Sequence, residues 1–96
     1  MSERKTIRVV AAEIERDGRF LITQRRPSAI LPLLWEFPSG RVEDGETDET
    51  ALIRELDERL NVHISVQQLS MFIKHEYEDY ALDFCVYRCA LLSDEI

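Results

Sequence analysis

The chain has no apolar run approaching the ~20 residues that cross a bilayer, and its opening, MSERKTIRVV, has no signal-peptide pattern. No membrane association is therefore expected, and a cytoplasmic location is. Cationic side chains are scarce as well. Twelve Lys and Arg stand against 19 Asp and Glu, for a formal net charge of −7. Duplex nucleic acid is recognised through clustered Lys and Arg, so it is not an expected partner. An acidic balance suits recruitment of divalent cations and also simple solubility.

Cysteine is limited to Cys85 and Cys89. On a strand the two would share a face about 13 Å apart, at ~3.3 Å per residue. A disulfide needs Cα atoms within about 7 Å, so both read as reduced core residues. Repeats, low-complexity tracts and linkers are also missing. The 96 residues read as one domain, 1–96, small enough to bury only about 60–70% of its unfolded surface.

Local signals divide the chain clearly. Residues 6–15 alternate with β-branched content and read as a strand; Asp17-Gly18 is a hairpin turn, and Arg19 to Arg25 reads as the returning strand. Residues 25–34 carry two prolines and no period, which indicates a loop. Trp35 to Pro38 reads as a short extended piece, and Ser39-Gly40 as the start of a further loop. Thr47 is a candidate N-cap, with Asp48 and Glu49 placed to complement the positive end of a helix. Ala51, Leu52, Leu56 and Leu60 form its apolar stripe, and Asn61 ends it by tolerating the left-handed conformation. Residues 64–75 and 80–91 read as two long strands. In the second, the face with Tyr80, Leu82, Phe84, Val86 and Ala90 is the better core candidate than the face with Cys85 and Cys89.

The chemistry concentrates between Gly40 and Val62. Glu55 and Glu58 stand three apart on the helix and are surface neighbours, able to share a divalent ion. Mg²⁺ takes oxygen ligands and keeps several waters, so a few carboxylates suffice. Such a pair on a charged helix is ordinarily a solvated face. The wider spacing changes that reading. Gly40, Glu46, Arg54, Glu55, Leu56, Glu58 and Val62 resemble the Nudix box, in which a glycine loop precedes an Arg-Glu-aliphatic-x-Glu-Glu helix.

The likeness extends over Thr6 to about Leu92 and is similar to the MutT-type branch, on the strength of residues 21–26 and of Trp35-Glu36-Phe37-Pro38-Ser39-Gly40. It implies an α/β fold: the Nudix α/β/α sandwich, with a mixed β-sheet and the box loop–helix. It also implies pyrophosphohydrolysis of a nucleoside triphosphate or other nucleoside diphosphate derivative, an oxidised purine among the candidates, with Mg²⁺ or Mn²⁺ as cofactor. Glu55 and Glu58 would be metal ligands and catalytic, one of them helping to deprotonate the attacking water. The Ser39 carbonyl would be a further metal ligand. Gly40, Glu46 and Arg54 would be structural, Arg54 pairing with Glu46, while Arg25 and Phe37 would bind substrate. His63 and His75 read as incidental.

Two departures qualify the likeness. Arg59 stands where the box has its second adjacent Glu, and Asn61 where it has Gly. Arg59 has three courses open to it: competing with a metal for Glu55, swinging into solvent, or reaching a substrate phosphate. The family's usual C-terminal strand and helix are also expected to be lacking, which implies an open apolar face or strand edge and favours a homodimer. Reduced activity is expected, with a catalytically degenerate nucleotide-binding or regulatory domain as the alternative.

Overall fold

The computed structural model describes residues 5–24 and 35–92. Strand β1 (Lys5–Arg16) is followed by β2 (Arg19–Phe20), β3 (Thr23–Gln24), β4 (Trp35–Glu36), β5 (Ser39–Arg41), helix α1 (Asp48–Leu60), β6 (Ile64–Glu76) and β7 (Tyr80–Leu91). The main sheet runs β2-β1-β7-β6, with β5 also paired to β1. It is mixed, because β1 and β7 are parallel while the β1–β2, β1–β5 and β6–β7 pairs are antiparallel. Parallel neighbours need a long crossover, and the connection from β1 to β7 carries the single helix of the described residues.

The first hairpin turns at Asp17 and Gly18, which have φ of 52° and 78°. Both central residues of a type I′ turn need positive φ, which an Asp-Gly pair supplies readily. The returning strand is shorter than its sequence suggests. Only Arg19 and Phe20 pair with β1; Thr23 and Gln24 pair instead with Trp35 and Glu36 in a separate two-stranded ribbon. The reason is a competing partner. The edge of β1 that a longer β2 would use is taken by β5, with Ala11 opposite Ser39 and Val10 opposite Gly40. The Ala12 amide donates to the Pro38 carbonyl at 2.8 Å, and the Val42 amide to the Arg8 carbonyl at 2.9 Å. Ser39 and Gly40, read from sequence as loop, are therefore strand.

Helix α1 begins and ends as its caps dictate. The Thr47 hydroxyl accepts from the Thr50 amide at 3.1 Å, and Asn61 sits at φ 53°, ψ 41°. Its stripe of Ala51, Leu52 and Leu56 is buried, with Leu60 partly so. The stripe packs on Val10, Ala12 and Ile14 of β1 and on Cys85 and Cys89 of β7, with Val62 and Ile64 closing the end. Register explains the grouping: Val10 pairs with Cys85, Ala12 with Tyr87 and Ile14 with Cys89, so all point to one side of the sheet. Burying Leu52 and Leu56 contributes roughly 1.5–3 kcal/mol each.

One expectation is reversed here. The face of β7 that meets the helix is that of Cys85, Tyr87, Cys89 and Leu91; on the other face Val86 is buried, while Leu82, Phe84 and Ala90 are half-buried. Small side chains on the helix side let α1 lie close, so apolar bulk alone pointed to the wrong face. Both thiols are free and buried, and burial pushes Cys89 up to about 12. The outer β6 strand leaves Leu69, Met71, Phe72 and Ile73 about half exposed.

Candidate active site

Three segments converge along one side of α1: β5 with its Ser39 and Gly40, the loop holding Glu46, and the helix itself. Arg54 is the fastener. Its Nε and Nη2 donate to the two oxygens of Glu46 at 2.7 and 2.9 Å, a bidentate fork. Nη2 also donates to the Arg41 carbonyl at 3.2 Å, and Nη1 to Glu55 at 3.0 Å and Glu58 at 3.4 Å. Glu46 accepts a further bond from the Glu43 amide at 2.9 Å. Its carboxyl is held at about 2, first by the Arg54 guanidinium and then by that amide. An isolated surface ion pair contributes little, but a fork embedded in a network has the geometry that makes such pairs count.

Glu55 lies between two cations. One of its oxygens accepts from Arg54, and the other is 3.9 Å from Arg59 Nη1. Beneath it is Gly40. A Cβ there would stand 2.2 Å from both Cγ and Cδ of Glu55, so only glycine lets the carboxylate approach β5. Glu58 is more exposed, its side chain 61% accessible. Arg59 does not swing out. Its Nη1 donates to the Ser39 carbonyl at 2.6 Å. Ser39, Glu55 and Arg59 line a cleft of about 140 Å³ with Thr23, Pro38, Leu56 and Leu60.

The structure thus brings together Ser39, Gly40, Glu46, Arg54, Glu55 and Glu58. It does not bring Phe37 to them. That ring packs on Phe20, with centroids 5.8 Å apart, and does not line the cleft. Arg25 lies outside the described residues. His63 is exposed and bonds Asp57 at 3.1 Å.

A second polar cluster went unread in the sequence. Arg8 grips Asp48 through Nε and Nη2 at 2.7 and 2.8 Å, and the Tyr87 hydroxyl donates to the same carboxylate. Arg8 holds Asp48 below its ordinary range, and burial pushes Tyr87 up to about 12. The cluster pins the helix N-terminus to the sheet. Its one advance signal was an Arg inside the otherwise apolar run of β1.

Oxygen donors suit Mg²⁺ and Mn²⁺ in kind, and Ser39 O, Glu55 and Glu58 supply them. Among the described residues no group of three His, Cys, Asp or Glu side chains is close enough to hold an ion. As the side chains stand, the arginines engage all three donors.

The family described as NUDIX domain matches residues 9–96. The chain belongs to the Nudix family. Within it the relatives are MutT-like. An 8-oxo-dGTP diphosphatase of Proteus vulgaris is 32% identical over 80 residues, covering 82% of this chain and 71% of that protein. A CTP pyrophosphohydrolase of Escherichia coli (strain K12) is 48% identical over 62 residues, covering 65% of this chain and 46% of the relative. The solved DNA Mismatch Repair Protein MutT (Family Nudix Hydrolase) from Methicillin Resistant Staphylococcus aureus 252 superposes with a TM-score of 0.80 at 38% identity, over 98% of this chain and 72% of that one. This Nudix chain spans about two-fifths to three-quarters of the length of the relatives it matches. Among the described residues, the mixed sheet and single helix are those of the Nudix fold.

Proposed function

We propose that this single Nudix domain is a pyrophosphohydrolase of nucleoside triphosphates, dependent on Mg²⁺ or Mn²⁺ and reduced in activity. The observation that carries the reading is the meeting of Glu55 and Ser39 at a cleft, with Glu58 joined to Glu55 through Arg54 and the whole fastened by the Arg54–Glu46 fork. The names of its relatives, a CTP pyrophosphohydrolase and several 8-oxo-dGTP diphosphatases, support a nucleotide substrate.

The reaction is attack of water on a phosphorus of the diphosphate, with cleavage of the anhydride P–O bond to yield a nucleoside monophosphate and pyrophosphate. A divalent ion, when bound, neutralises phosphate charge and makes coordinated water acidic. Ser39 O, Glu55 and Glu58 would hold it. One of the two carboxylates accepts the proton of the attacking water. Arg54 holds both carboxylates in place through its hydrogen bonds and never needs to touch substrate. Gly40 lets Glu55 lie against β5. Arg25 and Phe37 remain our candidates for holding the nucleotide, Phe37 together with Phe20.

Incubation with a nucleotide panel including CTP and 8-oxo-dGTP, with Mg²⁺ or Mn²⁺, should release monophosphate and pyrophosphate. Absence of turnover at high protein and metal concentration overturns the reading. The Arg59–Ser39 contact favours a second reading in that event: a nucleotide-binding or regulatory domain without catalysis. Nucleotide binding without product would establish it.

A further inference from the structure

We infer that the Arg59 guanidinium is a tethered cation standing in the divalent-ion position, and that an ion can enter only by displacing it. The inference rests on the metal-dependent reading above and deepens it. Arg59 lies four residues beyond Glu55, so the two project from the same side of α1. Its Nη1 reaches both donors that an ion would need, lying 2.6 Å from the Ser39 carbonyl and 3.9 Å from Glu55. The shorter contact is a charge-assisted hydrogen bond, slightly shorter than is usual for one. Ser39 is 20 residues away in sequence, so folding rather than helix geometry aims the guanidinium here.

Charge points the same way. Four carboxylates (Glu43, Glu46, Glu55 and Glu58) lie within salt-bridge distance of two guanidinium groups, so the arginines already neutralise half of the negative charge that would attract an ion. A divalent ion bound at about 2.1 Å from Ser39 O would share that oxygen with Nη1 and bring two cations into near contact. A guanidinium satisfies the donors electrostatically but holds no water to activate. Its long stem and its 38% accessible side chain give it room to swing aside. Apparent metal affinity is then the intrinsic affinity multiplied by the fraction of time the side chain spends displaced.

The test is Mn²⁺ binding to the whole chain, read from the electron paramagnetic resonance signal of the free ion. Arg59→Gln should bind Mn²⁺ about tenfold tighter than the parent or more, the equivalent of one charge-assisted hydrogen bond no longer to be broken. Arg59→Met, uncharged and of similar length, should do the same if the Gln variant folds poorly by circular dichroism. Adding Glu55→Gln to Arg59→Gln should abolish the gain, which locates it at this cleft. Unchanged affinity in both folded single variants overturns the inference. A parent chain that hydrolyses nucleotide with the same Mn²⁺ affinity as those variants keeps the hydrolase reading and removes this one. Tighter Mn²⁺ binding without turnover in any form does the reverse.

Discussion

Gly40 lies directly under the side chain of Glu55, so close that a Cβ would sit 2.2 Å from Glu55 Cγ and Cδ. A box glycine is often explained by backbone freedom. Here its φ is not in the left-handed region, and the requirement is space for a neighbour's carboxylate.

Gly40→Ala should therefore displace Glu55 rather than unfold the chain. The obstructing atoms belong to a side chain that can rotate away, whereas the active geometry cannot tolerate its moving. A misplacement of an ångström is worth about 100-fold in rate. Turnover of the best nucleotide should fall by about that factor with a nearly unchanged melting temperature. A large loss of melting temperature with turnover intact would contradict the account.

Acid should weaken the loop–helix clasp over a defined range. Glu46 titrates at about 2 in the fold against 4.5 ordinarily, chiefly because Arg54 bonds its ionised form. A carboxyl whose folded value is depressed contributes stability above its unfolded value, and that contribution is lost as pH falls from about 4.5 to about 2. Melting temperature across that range should drop less steeply in Glu46→Gln, which also starts lower at neutral pH. Equal slopes in the two proteins would count against the clasp.

The helix ends offer a cleaner stability test. Thr47→Ala removes the hydroxyl that accepts from the Thr50 amide and should cost about 1 kcal/mol. Asn61→Ala forces a Cβ-bearing residue without a polar side chain into the left-handed region and should cost about 1 kcal/mol. Asn61→Gly should be neutral or stabilising, because glycine adopts that conformation without strain. Urea denaturation of the three variants measures all of this.

In the core, Leu52 is fully buried between α1 and the sheet. Leu52→Ala should lower stability by about 2–5 kcal/mol, the range for a buried leucine whose surroundings close only partly. A change under about 1 kcal/mol in the same denaturation experiment would mean that α1 is not docked as described.

Interactions of short range in sequence were legible from the sequence alone. Thr47 caps its own first turn, Asn61 ends its own last one, and Asp17-Gly18 turns its own hairpin, because each acts within a few residues. The spacing of Glu46, Arg54 and Glu55 carried the family resemblance and the expected clasp. Other features depended on partners distant in the chain. Register between β1 and β7 decided that Cys85 and Cys89, not Leu82 and Phe84, face the helix. Competition from β5 for the edge of β1 kept the returning strand to Arg19 and Phe20. Arg59 had three courses open to it on sequence grounds, and its bond to the Ser39 carbonyl, 20 residues away, sets aside only the swing into solvent. A hydrogen bond of that separation exists only once β5 is paired with β1 and α1 is packed against the sheet, which is why the tertiary fold alone could place that cation.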